Sequence, residues 1–457
     1  MRVLIVGGGI SGAATAFYLR EFAPGVEIEV LERAEVSGGA VRSEVSEEGY
    51  TVNWGPNGFL SNVPETLDLV KALGLEASLL TASDLAKHRY LFREETLKPI
   101  PTHPLTFLKS DLLSPLGKLR ILLEPLVSRL ENGSTVADVE TVYEFAARRL
   151  GPEFATAFMS PMILGITSGD AKQTSLSALF PRMRKMELEY GSLFKAVFAK
   201  KRDKTSTPTR LTSFVKGGMQ VLTDALDETL GPLIKTNVNV TSVHQADDGR
   251  WEVETEGGGE IAPADVLVLA TPAYVSSKLL SKQSRGLSKT LLEIPYASVR
   301  VVALGYPETA VPRKLDGFGF LAPRGQGLRS LGVLWTSSLY SDYAPPGHVL
   351  LRVIAGGVHD SSFADLDDAQ ALWEVRRDLS RMMGIVAPPD FVRQIPWRRT
   401  IPQYQPDHLK RLAEIDDHLR VFDGRLQLTG NAYRGVGVND CVRDAKRTAV
   451  QISATLA

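Results

Sequence analysis

Cysteine is almost missing from this 457-residue chain. The single thiol, Cys441, excludes an intrachain disulfide and any cysteine-rich zinc or iron-sulfur site, and it fits a reducing compartment. Histidine is scarce too. The seven present include no pair at helical ligand spacing, which argues against a metal site. Neither sign of charge is in excess, with 52 basic against 53 acidic residues, so a nucleic-acid role has no electrostatic support. Long apolar runs are lacking as well. The longest stretch without charge, residues 154–169, contains Ser, Pro, Thr and Gly and falls short of the ~20 apolar residues that span a bilayer. With a first strand predicted at residue 2, no signal or transit peptide is expected, and a cytoplasmic protein, soluble or peripherally attached, follows.

Glycine, by contrast, is placed with purpose at the start of the chain. Arg2 to Val6 reads as a buried parallel strand, and Gly7, Gly9 and Gly12 then give G-x-G-x-x-G ahead of a helix running to about Phe22. Gly7 permits the sharp turn, Gly9 lets a pyrophosphate approach bare backbone at a helix N-terminus, and Gly12 lets helix and strand pack closely. A second strand, Glu27 to Leu31, ends at Glu32, 20 residues past Gly12, where a carboxylate reaches an adenosine ribose. Strand, helix, distal acid and length agree on a dinucleotide-binding βαβ unit. Just beyond the acid, Gly38, Gly39, Arg42 and Ser43 add a glycine pair and a cation that an NAD-only domain does not need.

The rest of the chain reads as interleaved pieces of more than one domain. GYTVNWGPNGF predicts a strand up to Trp54 and a turn at Gly55, Pro56, Asn57 and Gly58; beside a bound redox cofactor, Asn57 would meet a substrate ring nitrogen, although local sequence alone favours an ordinary Asn-Gly turn. Residues 64–73 predict an amphipathic helix, and HRYLFREETLKPIP a hairpin with Arg89 at its start. From Pro104 to about Lys201 the pattern is helical, broken at Pro115, Pro125, Gly151, Pro161 and Gly169. Its basic amphipathic part, around Lys109, Lys118, Arg120 and Arg129, fits a helical lobe packed on its own enzyme or a membrane-surface contact. Residues 200–212 read as a polar loop. The apolar strand Val266 to Ala270 implies that distant segments complete the nucleotide sheet, making that domain discontinuous. Four strand-like runs within residues 299–357, a helix over residues 369–383 and a strand ending in Trp397 predict a second, substrate domain. Finally, a short strand at residues 426–429 turns through Gly435 and Gly437 into a last helix. Its N-terminus would stabilise negative charge on a reduced cofactor ring.

The motifs GGGISG, GGAVRS, GPNGF, RRLGPE, ITSGDAKQTS, GFGFLAP, IPQYQPDH and GNAYRGVGVNDC together resemble the oxygen-dependent protoporphyrinogen and coproporphyrinogen III oxidases of the FAD amine oxidase superfamily, over nearly the whole chain. The resemblance implies an α/β fold: a discontinuous Rossmann-like FAD domain (1–75, 205–275, 415–457), an interleaved α+β substrate domain with a mixed sheet (76–100, 276–414), and a mainly helical subdomain (101–204) that is membrane-associated in some members. It implies FAD contacts at Gly7, Gly8, Gly9, Ile10, Ser11, Gly12, Ala13, Glu32, Arg33, Gly39, Arg42, Gly55, Pro56, Asn57, Gly58, Val240, Trp397, Val436, Gly437 and Val438. For the substrate it implies Arg89 on a propionate, Gly169, Leu321, Leu334 and Ile354 around the tetrapyrrole, and Asn57 orienting the ring at the flavin. Ile354 stands where several relatives have an aromatic residue or methionine.

The activity implied is six-electron oxidation of a porphyrinogen in haem biosynthesis, with molecular oxygen as acceptor and hydrogen peroxide as product. Protoporphyrinogen IX is the first expectation and coproporphyrinogen III the alternative. A homodimer, a peripheral contact with the inner membrane surface and hand-off to a haem-pathway chelatase are partners the resemblance allows. An amine oxidase or desaturase would use the same FAD frame, but GFGFLAP and TSGD argue against it. A non-catalytic flavin-binding or haem-pathway interaction protein is the other rival, distinguished by whether bound FAD is reduced by porphyrinogen.

Overall fold

Val3 and Ile5 face one side of the first strand, Leu4 and Val6 the other, and all four are buried, so this strand can only lie inside a sheet covered on both faces. The computed structural model, which describes residues 1–130, 139–202 and 209–456, places it there. Five parallel strands run in the order Ile234–Lys235, Glu27–Leu31, Arg2–Val6, Val266–Leu269, Leu426–Leu428. They come from four distant stretches of chain. One face is covered by helices Ile10–Phe22, Gln220–Leu230 and Val438–Leu456, the other by the hairpin Val240–Gln245/Trp251–Thr255 and helices Ala273–Leu279, Arg285–Leu292 and His408–Leu419. Each fully buried Val, Leu or Ile of these layers contributes roughly 1.5–3 kcal/mol. The first and last helices pack directly on each other, with Ala13, Ala14 and Phe17 against Cys441, Val442 and Ala445 in a common core.

A seven-stranded mixed sheet forms the second layer system, in the order Phe391–Pro402, Tyr296–Pro307, His348–Gly356, Ser330–Trp335, Gly319–Leu321, Arg89–Arg93, Thr96–Pro99. All neighbours are antiparallel except Gly319–Leu321 and Arg89–Arg93. Val302, Leu304, Leu351 and Val353 pack on helix Asp368–Met383. The alternate residues, Val301, Ala303 and Leu350, turn towards Tyr50, Val52 and Trp54 of the nucleotide-binding part.

Three expectations are corrected in detail. Pro161 does not break the helix. The preceding turn, Ala155–Met159, is a π-helix, and its wider spacing accommodates the missing proline N–H, so the helical path continues through Ser160–Thr167. The strand expected to end at Trp397 runs on to Pro402 across a bulge, with Arg399 at φ +46°. Of the polar loop expected at residues 200–212, helix Leu193–Arg202 takes the start and strand Leu211–Phe214 the end; residues 203–208 lie outside the described residues.

The helical part is held by a buried ionic cluster rather than by leucines alone. Arg149 and Glu187 are fully buried and Glu124 accepts from Arg149, while Arg148 bridges Glu140 and Glu187, each at 2.7 Å. Burial would raise the Glu124 carboxyl, but hydrogen bonds from Ser192, the Leu193 amide and Arg149 outweigh it and hold the group below its ordinary value.

Candidate functional site

The glycines of the first turn meet the requirements read from their spacing. Gly7 adopts φ +109°, and a side chain on Gly12 would strike the Gly7 carbonyl at 1.9 Å. Gly9 differs. A Cβ there would meet only Gly39 Cα, at 3.8 Å, so packing within the protein does not require glycine at this position. The Gly38 amide donates to the Gly8 carbonyl at 2.9 Å, which seats the second glycine pair against the first. Glu32 closes the rim, its two carboxylate oxygens accepting from the amides of Gly8 at 2.7 Å and Ala34 at 2.8 Å. Val240 lies close by, since the Val238 amide donates to the Glu32 carbonyl at 2.9 Å. Arg33 is exposed, with no ion pair among the described residues.

The turn at Gly55 to Gly58 is pressed against the same cradle. A Cβ on Gly55 would meet the Ala40 carbonyl at 2.1 Å, and one on Gly58 the Thr212 carbonyl at 2.6 Å. The Arg42 guanidinium lies over the Trp54 ring at 4.7 Å. Asn53 sets the orientation of Asn57. Its Oδ1 accepts from Ser43 Oγ (2.7 Å) and the Met219 amide (2.9 Å), so its Nδ2 must donate, and does so to Asn57 Oδ1 at 3.1 Å. Asn57 is thereby left with its NH2 group aimed elsewhere. On the far side, Asn439 in the first turn of the last helix donates to the Leu60 carbonyl at 2.8 Å, and the Gly437 amide is taken up by Asp440 at 3.3 Å. Ile10, Ser11 and Ala13 begin the first helix, while Val436 and Gly437 form the bend that leads into the last, which starts at Val438.

The residues expected around a substrate gather on one face of the seven-stranded sheet. Leu321, Gly332 and Ile354 lie in lateral register across three strands, and Leu334 stands opposite Gly319 and Arg352. Leu334 and Ile354 keep accessible surface within strands that are otherwise almost entirely buried. A Cβ on Gly165 would meet Leu321 Cδ2 at 2.8 Å, and one on Gly169 would meet Gln403 Oε1 at 2.3 Å, so the helical part closes over this face. Arg89 sits at the end of the sheet with its guanidinium 5.0 Å from the Phe318 ring and no ion pair among the described residues. Desolvation pulls its pKa below the ordinary arginine value.

Two side chains of this sheet reach the nucleotide cradle. Trp397 Nε1 donates to the Trp54 carbonyl at 2.8 Å, and Arg352 donates to the carbonyls of Asn53 and Gly55.

The family of flavin-containing amine oxidoreductases matches residues 10–453. The chain belongs to that family. Among similar proteins, the coproporphyrinogen III oxidase of Bacillus subtilis (strain 168) is 29% identical over 97% of this chain and 96% of its own. The chloroplastic protoporphyrinogen oxidase of Oryza sativa subsp. japonica is 31% identical over 98% of this chain and 88% of its own. A crystal structure from Exiguobacterium sp. 255-15 superposes with a TM-score of 0.84 at 25% identity, covering 99% of this chain and 98% of that one. This flavoenzyme is thus an FAD-dependent oxidoreductase, and its cradle fits the cofactor: besides the uncrowded Gly9, three buried donors, Arg42 Nε, Trp54 Nε1 and Asn57 Nδ2, lack acceptors among the described residues and cluster around the Gly55 turn.

Sequence reasoning missed three residues of the flavoenzyme that the structure brings to the site. Arg352 is one; its signal was a lone cation inside the apolar run LLRVIAGG. Tyr404 and His408 are the others, and IPQYQPDH carried them without a stated role. The Tyr404 ring stacks on His408 at 3.9 Å, and its hydroxyl donates to the Asn431 carbonyl (2.7 Å) while accepting from the Gly435 amide (2.8 Å). His408 Nε2 meets the Tyr433 carbonyl at 3.1 Å. This pair fixes the loop that leads into the last helix.

Proposed function

We propose that this flavoenzyme oxidises a porphyrinogen to its porphyrin in haem biosynthesis, protoporphyrinogen IX first, with oxygen as electron acceptor. One observation carries the reading: the accessible apolar residues Leu321, Leu334 and Ile354 share a sheet face with the side chains that reach the Trp54 turn, giving a flat apolar wall next to the cofactor cradle. Gly7 to Ala13, Glu32, Arg33, Gly39, Arg42, Gly55 to Gly58, Val240, Trp397 and Val436 to Val438 hold FAD in this reading, within the domain boundaries given above. Bound FAD would supply the two-electron redox chemistry, taking up a hydride equivalent three times per macrocycle for the net loss of six hydrogens, with oxygen as the final acceptor and hydrogen peroxide as its product.

The protein's own share is positioning. Gly169, Leu321, Leu334 and Ile354 orient the macrocycle, and Arg89 pairs a propionate. Asn57 offers an N–H donor rather than a free carbonyl, so it orients the ring through an acceptor on the cofactor or on the oxidised macrocycle. Coproporphyrinogen III is the competing substrate, supported by similarity to oxidases of that name at 27–29% identity. Anaerobic addition of each porphyrinogen to the FAD-loaded enzyme tests the activity: bleaching of the flavin absorbance is expected, and no bleaching with either overturns it. Parallel aerobic turnover ranks the two.

No helix among the described residues is long and apolar enough to cross a membrane. A peripheral contact is part of the proposal, supported by the exposed row Leu116, Leu119, Leu122 and Leu126 (77%, 53%, 61% and 79% exposed) next to Lys118.

A further inference from the structure

Five arginines are buried among the described residues: Arg149, Arg184, Arg300, Arg352 and Arg411. Four have carboxylate partners. Arg149 meets Glu124 and Glu187, Arg184 meets Glu187 at 2.6 Å, Arg300 meets Asp368 at 2.6 Å, and Arg411 meets Asp407 at 2.7 Å. Arg352 has none within ion-pair distance among the described residues. It is 5% exposed in the middle of strand His348–Gly356, and its guanidinium is satisfied by main-chain oxygens: Asn53 at 3.1 Å, Trp54 at 3.4 Å and Gly55 at 2.6 Å.

A buried cation without a counter-ion costs several kcal/mol in general, and carbonyl dipoles offset only part of that. Desolvation accordingly pushes the Arg352 pKa down to about 10, which still leaves it charged at neutral pH. The strand alternation puts Arg352 on the same face as Ile354 and directly opposite Leu334. The charge therefore stands between the apolar wall and the Asn53 to Gly55 carbonyls, at the seam between that wall and the cofactor cradle. A turn needing only to be held in place could use a neutral donor, as Trp397 shows on the Trp54 carbonyl.

We propose that Arg352 is a positioning residue for the flavin, fixing the Asn53 to Gly55 turn and supplying the unpaired positive charge that stabilises negative charge on the ring when it is reduced. This rests on the placement of the 55–58 turn beside the ring. The cofactor is the anion that Arg352 lacks within the protein.

The test is a reductive titration of FAD-loaded enzyme with dithionite against a reference dye, on wild type, Arg352→Gln and Arg352→Lys, together with FAD dissociation constants and melting temperatures. Arg352→Gln is expected to bind FAD but to shift the two-electron reduction equilibrium at least tenfold towards the oxidised form, about 30 mV more negative. Arg352→Lys, which keeps the charge, is expected to stay near wild type at pH 7. A lysine this desolvated loses its proton well below its ordinary pKa, so the potential of the Lys variant should fall away from that of wild type as pH rises. If Arg352→Gln does not fold, the Lys variant decides alone. Equal potentials in Gln variant and wild type, or parallel potential–pH curves for Lys variant and wild type, overturn the proposal. A wild-type protein that takes up no FAD would instead overturn the reading of the cradle.

Discussion

The indole N–H of Trp397 and the carbonyl of Trp54 lie 2.8 Å apart, and they tie the seven-stranded sheet to the turn that follows strand Thr51–Asn53. Trp397→Phe removes this hydrogen bond and keeps most of the packing. A loss of about 1 kcal/mol is expected, roughly fivefold in FAD affinity, read by fluorescence titration of apoenzyme. Unchanged affinity would detach the seven-stranded sheet from cofactor binding.

Gly9→Val separates cofactor binding from folding. Since a Cβ at Gly9 meets only Gly39 Cα at 3.8 Å, the variant should fold with the melting temperature of the wild-type apoprotein, yet purify without yellow colour. A variant with stoichiometric FAD would place the pyrophosphate elsewhere.

Arg89→Ala should raise the Michaelis constant for porphyrinogen roughly ten- to hundredfold, the 1.5–3 kcal/mol of a hydrogen bond to a charged group. The turnover number should change little, because the guanidinium serves binding rather than the reacting carbon. Porphyrin fluorescence follows both.

His408 sets a pH dependence of stability. Burial pushes its imidazole down to about 4 from 6.5, so below pH 6.5 the unfolded chain takes up a proton that the native state refuses. The stability tied to neutral His408 is complete above pH 6.5 and is lost as pH falls towards 4, up to about 3 kcal/mol. Melting temperatures from pH 7 to 4.5 should fall more steeply for wild type than for His408→Gln. Parallel curves would contradict this sign.

Vesicle co-sedimentation at low salt tests the exposed leucine row. Wild type should pellet with anionic vesicles, and Leu116→Ser combined with Leu126→Ser should reduce the bound fraction several-fold. No pelleting of wild type removes the membrane contact.

The N-terminal βαβ unit was legible because each of its residues answers a local demand: Gly7 a positive φ, Gly12 a close crossing, alternate valines and leucines two buried faces. The discontinuity of the parallel sheet was legible from the apolar run at Val266 to Leu269, too buried in character to stand alone. Pro161 misled because its break is absorbed by the π-turn Ala155–Met159 just upstream, a feature with no composition of its own. Arg352 and Tyr404 were illegible for a different reason. Their partners are main-chain atoms nearly 300 and about 30 residues away, and a backbone carbonyl leaves no mark in a sequence.

Strand Leu426–Leu428 and helix Val438–Leu456 complete the sheet and core begun by Arg2–Val6 and Ile10–Phe22. At typical synthesis rates the ribosome delivers those last segments roughly half a minute or more after the first glycine turn emerges. Until then helix Ile10–Phe22 lacks the longer of the two helices that pack on it, with only Gln220–Leu230 to cover part of its apolar face. The glycine turn is thus the first part of this core to be made and the last to be covered.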